Sequence, residues 1–287
     1  MTYQIRTGMP PERTKGYTAL ICESLSDLAQ YLDDNEKAGS LIHSDWGLRD
    51  VARASLHTGD SALVQRAEKL LTKMEAPEIM GQSNRSELVS SVSGCFADVP
   101  AYLSGAPNSM RLKRRRIELK PLRIVVDVTS SANVNDDTLE RRGIATLALL
   151  RRLETAGYSV ELWLVEAPNS APGFTFVRME TGPMDLARSC WALASQQFAR
   201  ECAFSACATV AKGRDGAWPW FNSRWHGFPK AQQQTFAMAL ECEPESILHI
   251  PALYNSVEAQ PFTTDAGAVK WLNDQYAAAI ARTEESN

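Results

Sequence analysis

The sequence has no apolar run near the roughly 20 residues that a membrane-spanning helix needs. Its opening, MTYQIRTGMPPERTKGY, has no hydrophobic core of a secretion signal. The expectation is a cytoplasmic protein with no membrane partner. Charge of one sign is scarce as well: 30 Lys and Arg stand against 34 Asp and Glu, a net charge of −4, which gives no global pull toward nucleic acid or anionic lipid. The cysteines, Cys22, Cys95, Cys190, Cys202, Cys207 and Cys242, are scattered and form no CxxC pair. On a helix Cys202 and Cys207 would point about 140° apart, so buried reduced thiols are expected rather than a zinc site or a disulfide framework. The phosphate-cradling turns GxxxxGK[ST] and GxGxxG are missing, and so is the GxSxG elbow of a serine nucleophile. Nucleotide hydrolysis, dinucleotide binding and serine-hydrolase chemistry therefore have no motif to rest on. What is present is ordinary globular usage, 44% hydrophobic and 22% charged over 287 residues, enough to bury a substantial core.

Residues 1–92 read as a helical region. Ser24 opens SLSDLAQYLDD, with Asp27 as an acidic variant of the capping box and Leu25, Leu28 and Leu32 on one stripe. A second helix is expected over 45–58, with Trp46, Val51, Ala54 and Leu56 inward and Gly59 as its stop. Asp60 caps a third, whose inner face is Ala62, Leu63, Ala67, Leu70, Leu71 and Met74, until Pro77 ends it.

Residues 93–116 read as an irregular connector with one short helical turn, punctuated by Gly94, Pro100, Gly105 and Pro107 and anchored by Phe96, Val99, Tyr102, Leu103 and Met110. Its tail holds Arg111, Lys113, Arg114, Arg115 and Arg116, and Lys120 and Arg123 follow. This is the one dense positive cluster in an acidic chain, suited to phosphate, to DNA or RNA, or to an acidic partner. The competing reading is an edge strand, with Ile117 and Leu119 inward and charges outward to block edge-to-edge pairing. No aromatic residue interleaves with the run to stack bases.

Residues 123–166 read as a strand, an oxygen-rich turn, an amphipathic helix and a second strand, which is a βαβ unit. The first strand ends in Asp127, and Thr129 and Ser131 follow at spacings of two. They sit at the carboxyl end of a parallel strand, where α/β folds bind ligands. A Pro/Gly loop over 167–173 leads to a hairpin strand at 174–179, a long helix at 184–212 and an aromatic segment with Trp218, Trp220, Phe221 and Trp225, which either packs or grips a partner. A helix over 230–242, a buried strand over 246–253 and an amphipathic helix over 265–282 complete the chain.

The order strand, Asp127-x-Thr129-x-Ser131, helix, strand, hairpin strand and long helix resembles a von Willebrand factor A-type domain over about residues 117–282. The resemblance implies a three-layer, Rossmann-like α/β fold over 117–287, a mostly parallel sheet flanked by helices. It also implies a metal-ion-dependent adhesion site: Thr129 and Ser131 would ligate Mg²⁺ or another divalent cation directly, Asp127 through water, and an acidic side chain of a partner would take the open position. Thr181 would supply the family's later threonine. The family's strand-end aspartate has no counterpart, since that strand runs into Tyr254 and Asn255, and Asp185 and Asp265 are the nearest by topology. The same turn composition also serves as a helix N-cap cluster. The segments DVPAYLSGAPNSM and DLARSCWALASQQFAR are similar to uncharacterised tailed-phage proteins, which implies a phage or prophage origin, in host cytoplasm or virion. The function expected is a non-enzymatic interaction or assembly protein that binds a protein partner or itself. The alternatives are a nucleic-acid-associated protein using residues 111–123 and 218–225, and a metal-dependent hydrolase centred on Asp127. A Ser130 or Ser131 nucleophile with His226 or His249 as base has less in its favour.

Overall fold

A computed structural model describes residues 3–8, 17–35, 49–74, 86–92, 96–115, 120–130, 134–156, 158–167, 173–179, 185–215, 229–253 and 256–285. In chain order the elements are β1 (Tyr3–Gly8), β2 (Tyr17–Cys22), α1 (Leu25–Asp34), α2 (Arg49–Thr58), α3 (Ser61–Met74), β3 (Ser86–Ser91), β4 (Phe96–Ala97), α4 (Val99–Leu103) and β5 (Met110–Arg115). Then come β6 (Lys120–Asp127), α5 (Asp136–Thr155), β7 (Tyr158–Glu166), β8 (Gly173–Met179), α6 (Leu186–Ala194), a π-helical turn (Phe198–Ala203), α7 (Phe204–Asp215), α8 (Pro229–Ala239), β9 (Ile247–Ile250), α9 (Ser256–Ala259) and α10 (Asp265–Glu285).

Six strands form one sheet in the order β1-β2-β8-β7-β6-β9. The pairs β1/β2 and β7/β8 are antiparallel and the other three adjacent pairs parallel, so the sheet is mixed, with parallel pairing in the majority. Apolar residues at both parities bury the central strands on both faces, as interior strands require. Leu122, Ile124 and Val126 of β6 and Leu162 and Leu164 of β7 face the larger core, shared with α1, α2, α3, α5, α6, α7 and α10. Val125, Trp163, Val165, Phe174 and Phe176 face α8, whose Phe236 ring meets Phe174 and Phe176 edge-on at 5.9 and 5.4 Å. The result is an α/β molecule with helices on both sides of the sheet.

Local chemistry starts and stops the helices. Ser24 Oγ accepts the Asp27 N–H at 3.1 Å at the head of α1, and Asp60 Oδ1 accepts the Ala62 and Leu63 N–H groups at the head of α3. Between α2 and α3, Gly59 adopts φ +67°, a left-handed stop that favours glycine. Asn135 Oδ1 accepts the Thr138 N–H at 2.9 Å, and Asp136 and Asp137 place negative charge in the first turn of α5.

Four expectations need correction. The N-terminal part is not only helical, because β1 and β2 belong to the main sheet. On α2 the inward residues are Ala52 and Leu56, while Val51 is 54% exposed and Ala54 is also exposed; on α3, Ala62 faces outward. The helix expected over 184–212 breaks at Ser195, whose backbone is extended and whose Oγ accepts the Gln197 N–H at 3.1 Å. Serine there caps a new start instead of continuing the old helix. Residues 110–115 of the basic segment are no edge: β5 is the central strand of a separate three-stranded antiparallel sheet, β3-β5-β4, while Ile117 and Leu119 lie outside the described residues.

Candidate functional site

The turn after β6 is knitted into the sheet by its own polar atoms. Asp127 is fully buried, and its Oδ1 accepts the Thr129 N–H at 3.0 Å, the local bond that a strand-ending aspartate is suited to make. Thr129 Oγ1 accepts the Ala167 N–H at 3.2 Å, which fastens the turn to the end of β7. Thr129 O accepts the Leu253 N–H at 3.2 Å, and Ser130 bridges Leu253 in parallel, which fastens it to the chain after β9. Ser131 and Thr181 lie outside the described residues.

Two residues not singled out from the sequence complete this strand end. Glu166 closes β7 and is 3% exposed; Arg142, on α5, is 1% exposed. Arg142 Nη1 donates to the backbone oxygens of Asp127 at 3.0 Å and Pro251 at 3.4 Å. A signal for Arg142 exists in the sequence, because it lies at helical spacing from Thr146, Leu149, Leu150 and Leu153, all of them buried. Glu166 has the parity of Leu162 and Leu164, which puts it on the side of β7 that faces the larger core.

The electrostatics are those of a crowded carboxyl pair. Burial first, and then the Asp127 carboxylate, push Glu166 well above the usual carboxylate range, against the Thr129 hydroxyl bond and the Arg142 charge, which pull it down. Glu166 Oε2 and its cross-strand neighbour Thr175 Oγ1 meet no hydrogen-bond partner among the described residues. A neutral carboxyl costs less to bury there than an ionised one. Cys207 lies nearby; burial, Glu166 and Asp127 raise its thiol well above the ordinary range, and its Sγ donates to Gly173 O at 3.0 Å. It is therefore a protonated core thiol. Cys22, Cys190 and Cys202 are also buried and free, with Cys190 pushed up to about 12 by burial.

The other sequence-derived positions disperse. Asp185 caps α6, its Oδ1 accepting the Ala187 and Arg188 N–H groups, and Asp265 accepts from Arg141 Nε at 3.1 Å. Among the described residues no group of three or more His, Cys, Asp or Glu gathers in one place. His249 packs its ring edge-on to Phe236 at 5.3 Å. Trp218, Trp220, Phe221 and Trp225 lie outside the described residues, as does Arg116.

The basic cluster divides between two sheets. Arg111, Lys113, Arg114 and Arg115 lie on β5 of the small sheet, whereas Lys120 and Arg123 lie on β6 of the main one. Arg123 leaves the cluster altogether, pairing across the strands with Glu161 at 2.6 Å. In the connection from β4 to β5, α4 starts at Asp98, whose side chain accepts the Ala101 N–H and whose own N–H donates to Ser109 O. The helix buries none of its residues: Val99 is 57%, Tyr102 71% and Leu103 78% exposed. These three do not anchor a packed loop, as their apolar character suggests; they stand out from it.

A family model described as a domain of unknown function, DUF7192, matches residues 14–260. No curated protein and no solved structure matches the chain.

Proposed function

We propose that this chain, which belongs to the DUF7192 family of domains of unknown function, is a non-enzymatic interaction or assembly module that docks an acidic protein partner through its small antiparallel sheet. The observation that carries this reading is the exposure of Val99, Tyr102 and Leu103 in the connection leading into a strand with four basic residues. Neighbouring exposed apolar groups that the fold leaves uncovered mark protein contacts. Charge supports the partner's sign. Strand β5 holds four of the 30 Lys and Arg and none of the 34 Asp and Glu, so the remainder of the chain carries −8. A basic strand in an otherwise negative chain favours an acidic partner. Protein is favoured over nucleic acid because the basic run has no interleaved aromatics for base stacking.

The body of this module is of von Willebrand A-like design and of phage or prophage origin. What supports the design is the succession β6, Asp127 turn, α5, β7, β8 in the order on which the resemblance rests.

Affinity capture from source cells tests the docking face with three baits: wild type, the joint Arg114→Ser, Arg115→Ser, Arg116→Ser variant, and the joint Tyr102→Ser, Leu103→Ser variant. An acidic protein held by wild type and lost from both variants is the expected result, followed by direct binding of the purified pair. DNA or RNA bound at low salt, lost from the basic variant and kept by the Tyr102/Leu103 variant, overturns it in favour of a nucleic-acid-associated protein.

A further inference from the structure

The von Willebrand A resemblance implies a divalent cation at Asp127, Thr129 and Ser131, and the described residues do not fit one. We infer that Arg142 is the resident cation of this strand end: its buried guanidinium, in place of a divalent metal, faces the Asp127 and Glu166 carboxyl pair, which between them carry one proton, and ties β6 to the chain after β9.

Four observations converge on this assignment. First, Arg142 is 1% exposed and its Nη1 spans the backbone oxygens of Asp127 and Pro251, which end one strand and follow the next. A guanidinium keeps its charge at every accessible pH, so this positive charge is permanent. A second, doubly charged cation beside it is repelled in surroundings that screen poorly. Secondly, the oxygen donors are engaged: Asp127 Oδ1 receives the Thr129 N–H and Thr129 Oγ1 receives the Ala167 N–H. Magnesium demands near-octahedral oxygen ligation, and these two oxygens could join it only with the lone pairs that the turn's bonds leave over. Thirdly, the aspartates nearest by topology to the family's missing ligand are committed, Asp185 to the head of α6 and Asp265 to Arg141. Fourthly, a position for such an arginine is built into α5, whose inward stripe runs from Arg142 through Thr146 to Leu149, Leu150 and Leu153. Planar, multiply donating and tolerant of burial, arginine suits a site that must join several carbonyl oxygens and carboxyl groups.

The assignment is independent of which surface docks the partner. It carries one consequence for docking: any partner is held as firmly in chelator as in magnesium.

Electron paramagnetic resonance of Mn²⁺ decides the point. With Mn²⁺ added at sub-millimolar concentration, wild type and Asp127→Asn protein are expected to leave the same free-ion signal. Bound Mn²⁺ in wild type that disappears in Asp127→Asn overturns the inference. Thermal melting then tests the arginine. Arg142→Gln is expected to lower Tm by roughly 5–10 °C, and Arg142→Lys to recover part of that loss. A melting temperature for Arg142→Gln equal to wild type overturns the assignment. Should Arg142→Gln fail to fold, Arg142→Lys and the Mn²⁺ comparison still decide.

Discussion

Burial and the Asp127 carboxylate both oppose an ionised Glu166, and this has a defined signature in stability. In the unfolded chain a glutamate titrates near about 4.3; in the folded protein Glu166 titrates well above that. A raised folded pKa means that the group's contribution is fully present below the unfolded pKa and is lost as pH rises through the folded one. Glu166→Gln, which keeps the shape and removes the charge, is therefore expected to melt with wild type near about pH 4 and above it at about pH 8. Melting curves across that range check this, and a constant offset at every pH would contradict it. Asp127→Ala removes the acceptor of a buried backbone N–H and is expected to cost about 1–2 kcal/mol in chemical denaturation, the same with or without magnesium. At this scale Asp127 and Thr129 are legible in the sequence because a strand meets a helix at that turn. Glu166 and Arg142 are harder to find. Glu161 and Glu166 share a strand and a chemistry, yet one pairs with Arg123 and Arg178 while the other is buried at the strand's end. Only the covering elements distinguish them.

Helix α5 approaches α6 closely because residue 143 has no side chain. A Cβ at Gly143 would lie 2.9 Å from Ala194 Cβ and 3.0 Å from the Leu193 carbonyl carbon. Gly143→Ala gains helix propensity but forces the two helices apart, and overpacking of this kind costs roughly 1–3 kcal/mol. A net loss of stability is expected in urea titration, and a net gain would show that the helices can separate freely. Helix boundaries are well written in the chain, since Ser24, Gly59 and Asp60 act through bonds within a few residues of themselves. The strands that the sequence conceals depend on distant partners. The run YTALIC is apolar at every position but Thr18 and buried throughout as β2, a pattern that periodicity alone does not separate from a buried helix. MRLKRR looks like a charged edge, yet β3 and β4 reach it from either side. Its central position arises from pairing with segments up to 29 residues away, as in Ser86 with Arg115.

For the whole molecule, a net charge of −4 conceals a separation between a basic strand, β5 with four Lys and Arg and no Asp or Glu, and a remainder of −8. Such a separation steers encounter more than it holds the complex together. On the proposed reading, replacing Arg114, Arg115 and Arg116 with serine is therefore expected to slow association with an acidic partner, by about tenfold at low salt, and to flatten its dependence on ionic strength while folding survives. Stopped-flow or surface-based kinetics at several salt concentrations check the rate. The α/β class and the βαβ core were open to sequence reasoning because they follow from apolar periodicity. The proposed docking face is only partly open to such reasoning: the charge is visible in the chain, but the exposure of Val99, Tyr102 and Leu103 depends on what the fold leaves uncovered. Hydrogen–deuterium exchange of the chain, alone and with its captured partner, tests the docking face most directly. The expected result is new protection centred on residues 96–115. Protection at residues 127–131 and 166–167 instead, with 96–115 unchanged, would contradict it.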